Sequence, residues 1–164
     1  MKRLPNFLLL RLTLGFIFLW TFLDKTFGLG FSTVAEKAWL QGASPTTGFL
    51  QFGADGVLSP LFQALAGNVF VDVLFMSGML LVGLALLLGI GIQIAGYSGS
   101  LMMFLIYASV FPPENNPLVD QHVVYILVLL LLAERVRTGK SVGSFGLGEW
   151  WSKQQIVQRW EFLR

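Results

Sequence analysis

The chain of 164 residues contains no cysteine. This excludes a disulfide framework, a thiolate metal site and the thiol relay that membrane disulfide oxidases use. It has one histidine, His122, so bis-histidine haem ligation is excluded, and an iron–sulfur cluster has no cysteine ligands here. No phosphate-binding loop or serine elbow occurs. Charge is sparse as well: Asp, Glu, Lys and Arg make up 12% of the residues, the net charge is +2, and no nucleic-acid partner is expected. What is present is apolar. Hydrophobic residues make up 55% of the chain, and the mean hydropathy is +0.71. The expectation is one small, all-α integral membrane domain partnered by the lipid bilayer.

Four segments have spanning character: about 5–27, 71–94, 96–111 and 120–133. They form a predicted four-span domain over 1–133, followed by a tail over 134–164. The second is the only one of full length, and Pro112–Pro113 closes the third. The very short link between the second and third requires an antiparallel hairpin, which predicts an antiparallel four-helix transmembrane bundle. The apolar start after Met1-Lys2-Arg3 reads as an uncleaved first span, because Arg11 interrupts it and no small-residue cleavage site follows.

Basic residues set the orientation. With four spans, one side holds Lys2, Arg3, Arg11, Arg135, Arg137, Lys140, Lys153, Arg159 and Arg164, and the other holds Lys25 and Lys37. Nine against two predicts cytoplasmic termini in a multi-pass protein of the plasma membrane. The 28–70 and 112–119 connections are then external. The longer one is too apolar for a free loop. Ser32, Ser44-Pro45 and Ser59-Pro60 offer helix starts, and Gly53 and Gly67 offer stops, so short interfacial helices are expected there. In the tail, Ile156, Val157, Trp160 and Leu163 share a face by helical spacing. Together with Trp150 and Trp151 they predict a C-terminal amphipathic helix at the membrane interface or against a partner subunit.

The charged groups are closer together than a bilayer is thick. Arg11 and Asp24 lie about 20 Å apart along a helix, and His122 and Glu134 about 18 Å, against a hydrocarbon core of about 30 Å. Ionisable groups at such depth are candidate functional residues. An outer layer holds Asp24, Lys25, Asp72, Glu114, Asp120 and His122; an inner one holds Arg11, Glu134 and Arg135. The matched separations make the first and last spans expected neighbours, with Arg11 facing Glu134 and Asp24–Lys25 facing Asp120–His122. Simpler roles stay open: Asp120 suits an N-cap, and Arg11 suits a side chain reaching for headgroups. An imidazole gains and loses protons near neutral pH, and quinone reduction takes up two protons with two electrons. His122 is therefore the first candidate catalytic residue, with Asp120, Lys25 and Asp24 beside it. Trp20, Trp39 and Tyr125 are candidates for holding a quinone ring, or form an ordinary aromatic belt. No metal site is expected, since no paired ligand spacing occurs.

Four stretches carry a family resemblance: RLTLGFIFLWTFLDKTFGLGF (11–31), GASPTTGFL (42–50), GMLLVGLALLLGIGIQIAG (78–96) and FPPENNPLVDQHVVYILVLLLLA (111–133). With these the chain resembles the DoxX/DoxD family of small four-helix membrane proteins. Members of this kind resemble the membrane subunit of thiosulfate:quinone oxidoreductase, which oxidises thiosulfate to tetrathionate and passes the electrons to membrane quinone. The resemblance implies quinone as the cofactor, a second subunit as partner, and Asp24, Lys25, Asp120 and His122 as the polar positions. Lys25 and Lys37 are the cations available to a thiosulfate dianion on the outer side. The competing reading is a non-catalytic anchor or accessory subunit of a larger respiratory complex. A small transporter is weaker, because one polar layer per face makes no continuous path.

Overall fold

The computed structural model describes residues 5–114, 116–143 and 145–163. Lys2, Arg3 and Arg164, used above for orientation, lie outside the described residues. Among the described residues the chain is all-helical, with no strand. In order the helices are α1 (Pro5–Phe27), α2 (Ser59–Gln63), α3 (Val69–Leu88), α4 (Ile92–Val110), α5 (Gln121–Arg137), α6 (Gly148–Trp151) and α7 (Gln155–Arg159). Three of them, α1, α3 and α4, are long and apolar enough to cross a membrane.

Helix starts follow short polar caps. The Asn68 side chain accepts the Phe70 N–H at 2.9 Å and opens α3. Asp120 does the same for α5, accepting from His122 N at 2.9 Å and Val123 N at 3.2 Å. Such caps satisfy N–H groups that have no partner within the helix.

Two boundaries differ from the sequence expectation. The turn between the second and third long helices falls at 89–91 rather than near 95. Gly89 and Gly91 both adopt left-handed backbone (φ 78° and 55°), which glycine reaches without a Cβ clash. The apolar run continues across this turn, so hydropathy alone hides it. As a result α4 starts at Ile92 and is 19 residues long. At the other end α5 runs to Arg137, four residues past the expected end, because charged residues continue the helix into an exposed last turn.

α1 packs along α3, α3 along α4, and α4 along α5. Small residues permit the close crossings. A Cβ on Gly83 would lie 2.7 Å from the Leu19 backbone nitrogen, and one on Gly96 would lie 2.7 Å from the Leu129 carbonyl oxygen. Phe18, Leu86, Leu129 and Leu132 fill the shared core and are fully buried. α1 also touches α5, with the Arg135 guanidinium 3.9 Å over the Phe7 ring.

The expected Arg11–Glu134 pair does not form. Glu134 instead takes a two-point bond from Arg137 on the same exposed turn, both contacts 2.8 Å. Arg11 does not reach toward solvent either; it is 1% exposed. Its Nη2 donates to the Phe145 carbonyl at 2.7 Å, and its Nη1 abuts Gly89 so closely that a Cβ there would overlap it. Arg11 thus sits at the C-terminal end of α3, where the helix dipole is negative and favours a cation. Leu147 N donates to Leu88 O at 2.6 Å beside it, so the tail is fastened to the α3–α4 turn.

The tail itself is not one amphipathic helix. It breaks at Ser152–Gln154 into α6 and α7, followed by a 3₁₀ turn at Glu161–Leu163. Of the expected apolar face Val157 is fully buried, whereas Ile156 and Trp160 are more than half exposed.

Candidate functional site

At the end of α1 that carries Lys25, the four long helices enclose a pocket of about 920 Å³. Residues 32–65 roof it. This is near the upper end of the roughly 300–1,000 Å³ usual for small-molecule sites. Its floor is apolar, formed by Phe18, Met79 and Met103, each at most 5% exposed. Its rim is polar and includes Lys25, Lys37, Gln121 and His122. Among the described residues no carboxylate lines it, so the ionisable groups lining the space are two lysines, His122 and the phenol of Tyr125.

Three carboxylates lie just behind the lining. Each is engaged in holding backbone or a ring. Asp24, 1% exposed, accepts Phe31 N at 3.1 Å, Ser32 N at 2.9 Å and Ser32 Oγ at 2.6 Å. Asp72 on α3 accepts from Ser44 Oγ at 2.8 Å and from both the backbone N–H and the hydroxyl of Thr46. These two residues, one on α1 and one on α3, tie down successive stretches of the roof. Lys25 adds a third tether, donating from Nζ to Pro45 O at 2.9 Å. Opposite, the roof meets the end of α4 through Gly56 N to Ser109 O (3.0 Å) and Val57 N to Phe111 O (2.9 Å).

Asp120 closes the set. While Oδ1 caps α5, Oδ2 lies 2.6 Å from His122 Nδ1. A carboxylate in that position accepts the hydrogen bond of Nδ1–H and leaves the lone pair of the neutral ring on Nε2. The pair is mostly enclosed, with side chains 17% and 14% exposed.

Of the residues singled out by sequence, Lys25, His122 and Tyr125 line this one pocket, and Asp120 touches it through His122. Asp24 does not line it, so the expected facing of Asp24 toward Asp120–His122 is corrected: its oxygens are taken by the 31–32 backbone. Nor do the two tryptophans line it. Trp20 packs between Phe16 and Phe31, at ring distances of 5.6 and 5.0 Å, and Trp39 lies in the 39–41 turn. Glu114 is exposed on the 111–120 connection. Ser32 does not cap the turns at 35–41, because its hydroxyl is bonded to Asp24.

Sequence reasoning missed Gln121, Ser44 and Thr46 as pocket residues and left Asp72 without a role. An aspartate in the first turn of an otherwise apolar helix was the available signal. Among the described residues no three of His, Asp and Glu come together as a metal site. Compared with family models, curated proteins and solved structures, the chain matches none.

Proposed function

We propose that the chain is the membrane subunit of a quinone-reducing oxidoreductase of the DoxX/DoxD kind. It is built as a four-span bundle with both termini in the cytoplasm and the Lys25 pocket facing outward. The observation that carries this is the pocket: an apolar chamber whose ionisable lining is Lys25, Lys37, Tyr125 and an Asp120-held His122. A quinone ring fits such a place. It is flat and apolar at its faces, with carbonyl oxygens that accept hydrogen bonds from Nζ or an imidazole N–H.

When bound, quinone supplies the two-electron acceptor and takes up two protons as it becomes quinol. The protein residues then have separate tasks. His122, protonated from the aqueous side, gives a proton from Nε2, and Asp120 stabilises the imidazolium that precedes the transfer. Lys25 and Lys37 make the rim attractive to a dianion such as thiosulfate. Two thiosulfates joined to tetrathionate release the two electrons, and no protein thiol is needed. Buried apolar side chains of the floor keep water from the ring.

Quinone binding by the purified protein in lipid nanodiscs tests this reading. A decyl-tailed benzoquinone should bind saturably, and Lys25→Ala should weaken it. Lack of saturable binding of this quinone and of its tail-less form removes the proposal. The runner-up is a non-catalytic accessory subunit, favoured by the exposed Trp150, Ile156, Trp160 and Phe162 of the tail, a surface suited to a partner or headgroups. Stoichiometric co-purification with catalytic subunits and no quinone binding would establish it.

Topology has its own check. Because the chain lacks cysteine, single cysteines report cleanly. Cysteines at the exposed Glu36 and Glu114 should react with an impermeant thiol reagent added to intact cells, and one at Ser141 should not. External labelling at 141 would reverse the map.

A further inference from the structure

The pocket has a side opening between α3 and α4. Gly78 on α3 lies under the Met102 side chain of α4; a Cβ on Gly78 would stand 2.6 Å from the methionine sulfur. Toward the Lys25 end, the space between the two helices belongs to the pocket. Leu74 on α3 and Leu105 on α4 both line it, yet they are 60% and 47% exposed. Residues that both line a chamber and face outward from neighbouring helices mark an opening through the wall. That wall is made by two helices long and apolar enough to cross a membrane, so on the four-span reading the opening faces hydrocarbon. Lys25 is on α1 and His122 on α5, the two helices that close the bundle across from the α3–α4 wall, since α1 packs on α3, α5 on α4, and α1 touches α5.

We infer that the ligand is a long-chain amphiphile which enters from the bilayer through the α3–α4 gap. Its polar ring reaches Lys25 and His122, and its hydrocarbon tail stays between Leu74 and Leu105 in the lipid. This rests on the quinone reading and deepens it, because it gives the route by which a tailed quinone reaches the site and the place its tail occupies. A tail threaded through the gap never leaves hydrocarbon. A chamber open only to water would force each methylene out of the bilayer, and affinity would fall with tail length. The occupant is chosen by the arrangement itself: apolar groups at the wall opening, hydrogen-bond donors and positive charge at the far rim.

The experiment compares two forms of one benzoquinone, with a decyl tail and without any, binding to protein in nanodiscs. Concentrations are referred to the lipid phase for the tailed form. The unaltered protein should bind both. Leu74→Trp with Leu105→Trp narrows the opening with residues that lipid-facing positions tolerate. The double variant should lose at least tenfold more affinity for the tailed ring than for the tail-less one. Equal loss for both rings, or no loss for either, overturns the doorway while leaving the quinone site in place. Failure of the unaltered protein to bind the tailed ring while binding the tail-less one also overturns it. If the unaltered protein binds neither ring, the quinone reading falls, and this proposal falls with it.

Discussion

Replacing His122 with alanine is expected to lower thiosulfate-dependent quinone reduction about 10²- to 10⁴-fold in the assembled complex, the range that positioned proton transfer contributes. Assembly should be unchanged, because the imidazole bonds only to Asp120 and makes no roof contact among the described hydrogen bonds. Asp120→Asn separates chemistry from scaffolding. Asparagine keeps the carbonyl oxygen that caps α5 and places an NH₂ where Oδ2 meets Nδ1. The ring must then accept at Nδ1 and carry its proton on Nε2, the reverse of the present tautomer. Activity should therefore drop although the helix stays capped. Full activity in both variants would make the polar rim scaffolding and leave the accessory-subunit reading standing.

The second large effect concerns stability. Asp24→Ala should cost roughly 1.5–4.5 kcal/mol, because it removes three hydrogen bonds that a buried carboxylate accepts from the backbone N–H groups of Phe31 and Ser32 and from the Ser32 hydroxyl, each worth about 0.5–1.5 kcal/mol net. In a chain of this length that corresponds to a fall in Tm of roughly 3–18 °C, read by thermal unfolding in mild detergent. Asp24→Asn retains one acceptor oxygen and should lose distinctly less. The 28–33 segment should also become protease-sensitive, as its tether to α1 is gone. An alanine variant as stable as the parent would show that the carboxylate is not what holds the roof.

The sequence revealed some parts of this arrangement and concealed others for identifiable reasons. α1 coincides with the expected 5–27 segment, since an unbroken apolar run of that length admits few alternatives. Asp120 was readable as a cap because capping depends on the residues immediately after it. The Gly89–Gly91 turn was not, since it lies inside an apolar run whose hydropathy does not change across it. Helical rise gave the depth of each charge but not its direction. Lys25 and Asp24 are adjacent, yet one lines the pocket and the other binds the 31–32 backbone. Pairing by matched depth failed for Arg11 because its partner is a main-chain carbonyl, Phe145 O, which carries no charge to mark it in a sequence. The tryptophans were chosen by residue type alone; Tyr125 lines the pocket because α5 presents the face one turn after His122.

Arg11 has a consequence for the order in which the protein is made. Its helix, α1, is synthesised before the carbonyl that receives it, at Phe145, and before the α3 terminus it rests on. On the four-span reading, α1 carries an uncompensated guanidinium during that interval, which is costly for a segment entering lipid alone. The newborn helix is thus a weak anchor by itself. It becomes a settled one when the α3–α4 turn and the tail arrive to enclose the charge. Residues translated later thereby complete the burial of a charge made earlier.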